Sequence, residues 1–134
     1  MNQIAIEELR KSAVESAVEL GKEGMFLDAL QVLQGCGSLR NWTGADRCQV
    51  SWIVSELGAP RLGRWHVLKA YREAPEVQLV RGSYAQQIAE DLGPLDTLDF
   101  IESSPPPTVE DDPDEQLGWL WLQASSLTQL RDFS

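Results

Sequence analysis

The chain has 134 residues, 43% of them apolar and 24% charged, the size and make-up of one globular domain with a modest core. Its formal charge of −10 argues against nucleic acid as the main partner, because phosphate binding needs a net or local excess of Lys and Arg. No run of about 18 apolar residues is present to span a membrane, so no membrane partner is expected.

The opening MNQIAIEELRKSAVESAVELG lacks the cationic region and unbroken apolar core of a signal peptide. Its periodic Leu9, Ala13, Ala17 and Leu20 predict a first helix from Ile4 to Gly21. A second follows over Phe26–Gln34 and stops at GCGSLRNWTG, where Gly, Ser and Asn mark a loop. Ala45–Leu57 reads as a third helix and Leu62–Arg72 as a fourth, ended by Pro75. A fifth spans Val77–Leu92 and a short sixth Leu95–Ile101, and no segment alternates as a strand does. The fold class is all-α.

SSPPPTVEDDPDE, residues 103–115, reads as an acidic, proline-rich linker that buries too little apolar surface to order itself. It closes on a helix start: Asp112 caps, Pro113 opens the first turn, and Asp114 and Glu115 complement the dipole. The last helix aligns Leu117, Leu120, Trp121, Ala124, Leu127 and Leu130 on one face, with Trp119 and Leu122 off it. A helix apolar nearly all round at its start wants partners on two sides. The expected organisation is a helical domain 1–104, a linker 105–115 and an amphipathic helix 116–134.

Charge is spread unevenly along this plan. Residues 1–81 hold ten acidic and ten basic residues, whereas residues 82–130 hold ten acidic residues and no Lys or Arg. The central part carries Arg61, Arg64, Lys69, Arg72 and Arg81 against only Glu73 and Glu76, so a basic middle precedes an acidic tail.

Shifting the sequence by thirty-four residues pairs Leu20 with Val54, Ala17 with Ser51, Gly24 with Gly58, Ala29 with Gly63, Leu33 with Val67 and Cys36 with Ala70. Small meets small and large apolar meets large apolar. Two helices per thirty-four residues resembles the tetratricopeptide repeat family, over residues 9–104 as two full copies and a degenerate third. The family's usual first-helix aromatics are replaced by Ala13 and Arg47 and by Leu20 and Val54, and the closing proline occurs only as Pro75.

The resemblance implies antiparallel hairpins stacked as a short right-handed superhelix whose first helices line a groove for a peptide or helix. Arg47, Trp52 and Ser55 on the third helix, and Arg81, Tyr84 and Gln87 on the fifth, are the groove-facing candidates. Arg47 and Arg81 would suit an acidic peptide, although the carboxylate clamp of chaperone-binding members is not reproduced. Leu117, Leu120 and Trp121 are the contact candidates of the last helix, which either caps the repeats, fills their groove, or docks on another molecule, including a second copy.

Catalysis has little support. His66, the single histidine, has no nucleophile in a recognisable context beside it, and the carboxylates cluster in the linker rather than on opposing helix faces. Cys36 and Cys48 make neither a disulfide framework nor, without companion ligands, a metal site, and their use suits a cytoplasmic protein. No cofactor is expected. The sequence therefore points to a non-enzymatic adaptor or small chaperone, similar in size, charge and architecture to the acidic repeat chaperones of bacterial type III secretion. The alternative is a regulatory or immunity-type inhibitor acting through its acidic tail.

Overall fold

The computed structural model describes residues 2–131, in which seven α-helices and no strand occur. They are α1 (Gln3–Lys22), α2 (Phe26–Gln34), α3 (Asp46–Glu56), α4 (Pro60–Glu73), α5 (Gln78–Asp91), α6 (Pro94–Ser103) and α7 (Pro113–Arg131), with a 3-10 turn at Leu39–Asn41. Local chemistry sets these limits. The Asn2 side chain accepts from the Ala5 N–H at 2.8 Å to cap α1. Pro60, Pro94 and Pro113 stand in the first turns of their helices, where a missing N–H costs nothing.

The second helices of the three successive pairs, α2, α4 and α6, begin at Phe26, Pro60 and Pro94, thirty-four residues apart each time. The turns before them keep the same register. Met25 N–H donates to Leu20 O at 2.9 Å, Ala59 N–H to Val54 O at 2.9 Å, and Gly93 N–H to Ile88 O at 3.2 Å. The first two bonds close Schellman-type helix ends, whose left-handed residues are Gly24 (φ +81°) and Gly58 (φ +92°). In the third, the residue at that place is Leu92 with φ −117°, and the positive φ falls one place later on Gly93 (φ +94°).

Burial follows the same period. Ala17, Ser51 and Ala85 are buried at one repeat position, Ala29, Gly63 and Thr97 at a second, and Leu33, Val67 and Ile101 at a third. The third pair of helices, expected to be degenerate, thus keeps the small, small and large pattern of the other two.

The chain forms two compact units, Met1–Glu73 and Ala74–Ser134, a boundary lying inside the 1–104 segment expected to act as one domain. In the first unit α1 packs on α2 and α3 on α4, while α3 touches both α1 and α2. Val14, Ala17, Ala29, Leu33, Trp42, Val50, Ile53 and Val54 make its core. In the second unit α5, α6 and α7 all pack on one another, around Ala85, Ile101, Trp119 and Leu122. Charge divides at the same place. Residues 1–73 carry nine acidic and nine basic residues, and residues 74–134 carry twelve acidic residues against Arg81 and Arg131 alone.

Local hydrogen bonds occur within and just after the segment 105–115 expected as a linker. Thr108 N–H donates to Asp111 Oδ2 at 2.7 Å, and the Gln116 amide donates to Asp111 O at 2.7 Å. Pro106 and Pro107 line one groove with Trp119 and Leu120 of α7. α7 begins at residue 113 with the Asp114 N–H bonded to Asp112 Oδ1 at 2.8 Å.

Candidate functional site

Arg47 and Arg81 occupy the same repeat position, and both are buried, with 4% and 9% of their surface exposed. Each reaches back to hold the loop before its own helix. Arg47 Nη2 donates to Arg40 O at 3.3 Å, while Arg81 Nη1 donates to Glu76 O and Nη2 to Gln78 Oε1 at 2.6 Å. Their surroundings then diverge. Arg47 Nε meets the Glu73 carboxylate at 2.7 Å, whereas Arg81 Nε is buried with no hydrogen-bond partner among the described residues. Neither guanidinium is thus presented to an open groove. The physical reason is the same in both: an arginine in the first turn of a helix can satisfy carbonyls of the loop before it.

The Arg47 cluster extends to His66, which is fully buried. Arg47 Nη1 lies 3.0 Å from His66 Nδ1 and can only donate, so the ring accepts at Nδ1 and carries its proton on Nε2. Burial, followed by the Arg47 charge, holds the His66 pKa down at about 4, with Glu73 opposing. Glu73 is pushed up by burial but held below its ordinary value by the Arg47 bond, the Gly44 N–H, and the charges of Arg47 and Lys69. Arg47 and Lys69 also lie 5.1 and 5.3 Å from the Trp65 ring centroid. In the first repeat the equivalent positions are Ala13, Val32 and Leu39, all packed against the core. The cluster is therefore a polar version of a packing position. His66 has no surface from which to meet a substrate.

The other groove candidates have internal partners too. Trp52 meets Phe26 edge-on at 5.4 Å and closes over Gly21, where a Cβ would stand 2.7 Å from its ring. Ser55 is exposed but its Oγ sits against Gly63 at the α3–α4 crossing. Tyr84 meets Phe100 at 5.1 Å, and the Gln87 amide donates to Asp91 at 2.8 Å.

The open surface is on α7. Trp119, 4% exposed, packs with Leu122 and Ser126 toward α5 and α6, and Phe100 lies 6.3 Å from the Trp119 ring. The expected contact residues point the other way: Leu117, Leu120 and Trp121 are 65%, 59% and 64% exposed, and Leu127 is 53% exposed. With Ala124, also exposed, they fill about 120° of arc opposite the buried side. The choice of inward side has a physical cause. Both sides of α7 are apolar, so periodicity cannot say which faces inward, and the small Ser126 lets the narrower Trp119 side approach closely.

Beside this face runs a groove of about 350 Å³ between the end of α6, the proline loop and α7. Ile101, Pro106, Pro107, Trp119 and Leu120 give it an apolar floor, and Glu102, Gln116 and Gln123 a polar rim. At the start of α7, burial and then the charges of Asp112 and Asp111 raise the pKa of Glu115. No group of His, Cys, Asp and Glu among the described residues is arranged to hold a metal ion. No helix among them is long and apolar enough to cross a membrane. No family model, curated protein or solved structure matches this chain.

Trp42, buried after the 3-10 turn, and Trp119 were the side chains that sequence reasoning missed as core. The first follows a loop signal and carries no helical period.

Proposed function

We propose that this chain is a non-enzymatic protein–protein interaction module, an adaptor or small chaperone built on three tetratricopeptide-like helical pairs. The repeat reading is supported by helix starts thirty-four residues apart and by the recurrent burial at three repeat positions. The single observation that carries the binding role is the outer face of α7. Four large apolar side chains there, Leu117, Leu120, Trp121 and Leu127, are each more than half exposed on a helix whose opposite side is packed. A contiguous apolar face of this kind is the usual footprint of a partner, and an exposed tryptophan at its centre is a typical anchor. The groove-facing role first expected for Arg47 and Arg81 has no such support, since both are spent on their own loops.

A second reading, an inhibitor of a basic target, is favoured by the concentration of the entire net charge in residues 74–134. It shares the same surface and differs only in what binding does to the partner. The test is affinity capture with the full chain as bait, repeated with Leu120→Asp and Trp121→Ala. A specific captured protein lost with both variants, while helical content stays unchanged, supports the α7 face. Capture indifferent to both variants overturns it.

A further inference from the structure

We infer that the occupant of the α7 face is a basic amphipathic helix of another protein, seated on Leu117, Leu120, Trp121 and Leu127 with its Lys and Arg residues toward the carboxylates that border that face. This rests on the α7 reading above and adds the chemistry of the partner.

Two independent features meet at this place. The first is geometric. The exposed stripe repeats at spacings of three and four along α7, the register in which one helix lies along another and offers its own residues at i, i+3, i+4 and i+7. Leu120 belongs both to the stripe and to the wall of the 350 Å³ groove, so the two form one continuous surface. A large apolar side chain from the partner can drop from the stripe into the groove between Pro106, Pro107 and Trp119.

The second feature is electrostatic. Glu102 stands on the groove's rim, and Asp111, Asp112 and Asp114 crowd the loop and first turn leading into the stripe. None of these four carboxylates is within ion-pair distance of a Lys or Arg among the described residues. The unit they belong to carries twelve acidic residues and two basic ones. Like charges this close repel, and a cationic partner relieves that repulsion while the apolar stripe supplies the contact area. A second copy of this chain would bring the same acidic ends and a further charge of −10. A basic helix is the complement on both counts.

The experiment titrates the full chain into labelled synthetic helices and follows fluorescence anisotropy. One peptide carries leucines at i, i+3, i+4 and i+7 with lysines elsewhere. A second replaces the lysines by glutamines, a third by glutamates, and a fourth keeps the lysines but scrambles the leucines. The cationic amphipathic peptide should bind at least about 10-fold tighter than the glutamine form, and the glutamate and scrambled forms should not saturate. Trp121→Ala should weaken it by about 30-fold, the loss typical of an interface anchor. Glu102→Gln with Asp112→Asn and Asp114→Asn should erase most of the preference for lysine over glutamine. Raising salt toward 1 M should do the same, because screening then acts within about 3 Å.

Equal binding of the lysine, glutamine and glutamate forms overturns the basic partner and leaves the α7 face standing. Binding of the cationic peptides that ignores Trp121→Ala overturns both. A dimer in sedimentation that Leu120→Asp dissociates makes a second copy the occupant and overturns this inference.

Discussion

The Arg47 guanidinium donates to His66 Nδ1 across 3.0 Å inside the first unit, so a buried cation fixes a buried imidazole in its neutral form. That pairing exists only while His66 is unprotonated, because a protonated ring would present a second donor and a second positive charge to Arg47. The ring's pKa is about 4 in the folded protein against an ordinary 6.5.

A pH dependence follows. Between those values the unfolded chain binds a proton at His66 that the folded chain refuses. The stability this group contributes is therefore complete above about pH 6.5 and is lost as pH falls toward about 4. Carboxylates titrate in part of this window, so the decisive measurement is a difference. The gap in Tm between the wild type and His66→Gln should narrow steadily from pH 7 to pH 4.5. A constant gap would mean that His66 is not held neutral.

Removing the counterion is costly, whereas replacing the whole cluster is not. Glu73→Ala leaves the Arg47 charge buried without its carboxylate and should cost about 2 kcal/mol. That is less than for a fully buried pair, since about a third of the Glu73 side chain is exposed. The triple variant Arg47→Ala, His66→Val and Glu73→Leu copies the first repeat's Ala13, Val32 and Leu39. It should be more stable than Glu73→Ala alone in urea unfolding, because packed apolar groups often match a buried ion pair.

Two glycines should respond oppositely to the same substitution. A Cβ at Gly63 would land on Ser55 Oγ and lie 3.1 Å from the Ser51 carbonyl, so Gly63→Ala should destabilise the α3–α4 pair by about 1–3 kcal/mol. Gly118 stands exposed in α7 with nothing within 4 Å of such a Cβ. Gly118→Ala should stabilise by about 0.5–1 kcal/mol through helix propensity alone. Thermal unfolding of the two variants decides it.

The two tryptophans flanking Leu120 separate the two sides of α7. Trp119→Ala empties the small core that Ala85, Ile101 and Leu122 share and should cost about 3–4 kcal/mol. Trp121→Ala should stay within about 0.5 kcal/mol of the wild type, its side being open. Equal losses in denaturant unfolding would show that both rings are packed.

The sequence by itself determined the helices and their period. Capping residues, helix-stopping glycines and prolines act within a few residues, so the limits of α2 were legible to the residue and the others within a turn. Thirty-four-residue spacing was legible as well, and it extends to Ala85, Thr97 and Ile101, which Pro94 and a polar threonine disguised as a poor third match. What the sequence could not determine is orientation. Arg47 and Arg81 read as surface charges until the preceding loops fold back to offer them carbonyl oxygens. On α7 either apolar side could have packed. Only the limited surface of α5 and α6, able to take Trp119, Leu122 and Ser126, decided that Leu117, Leu120 and Trp121 stay outside. Local chemistry is encoded over one or two helical turns, but the choice between two apolar faces depends on what residues far along the chain bring against them.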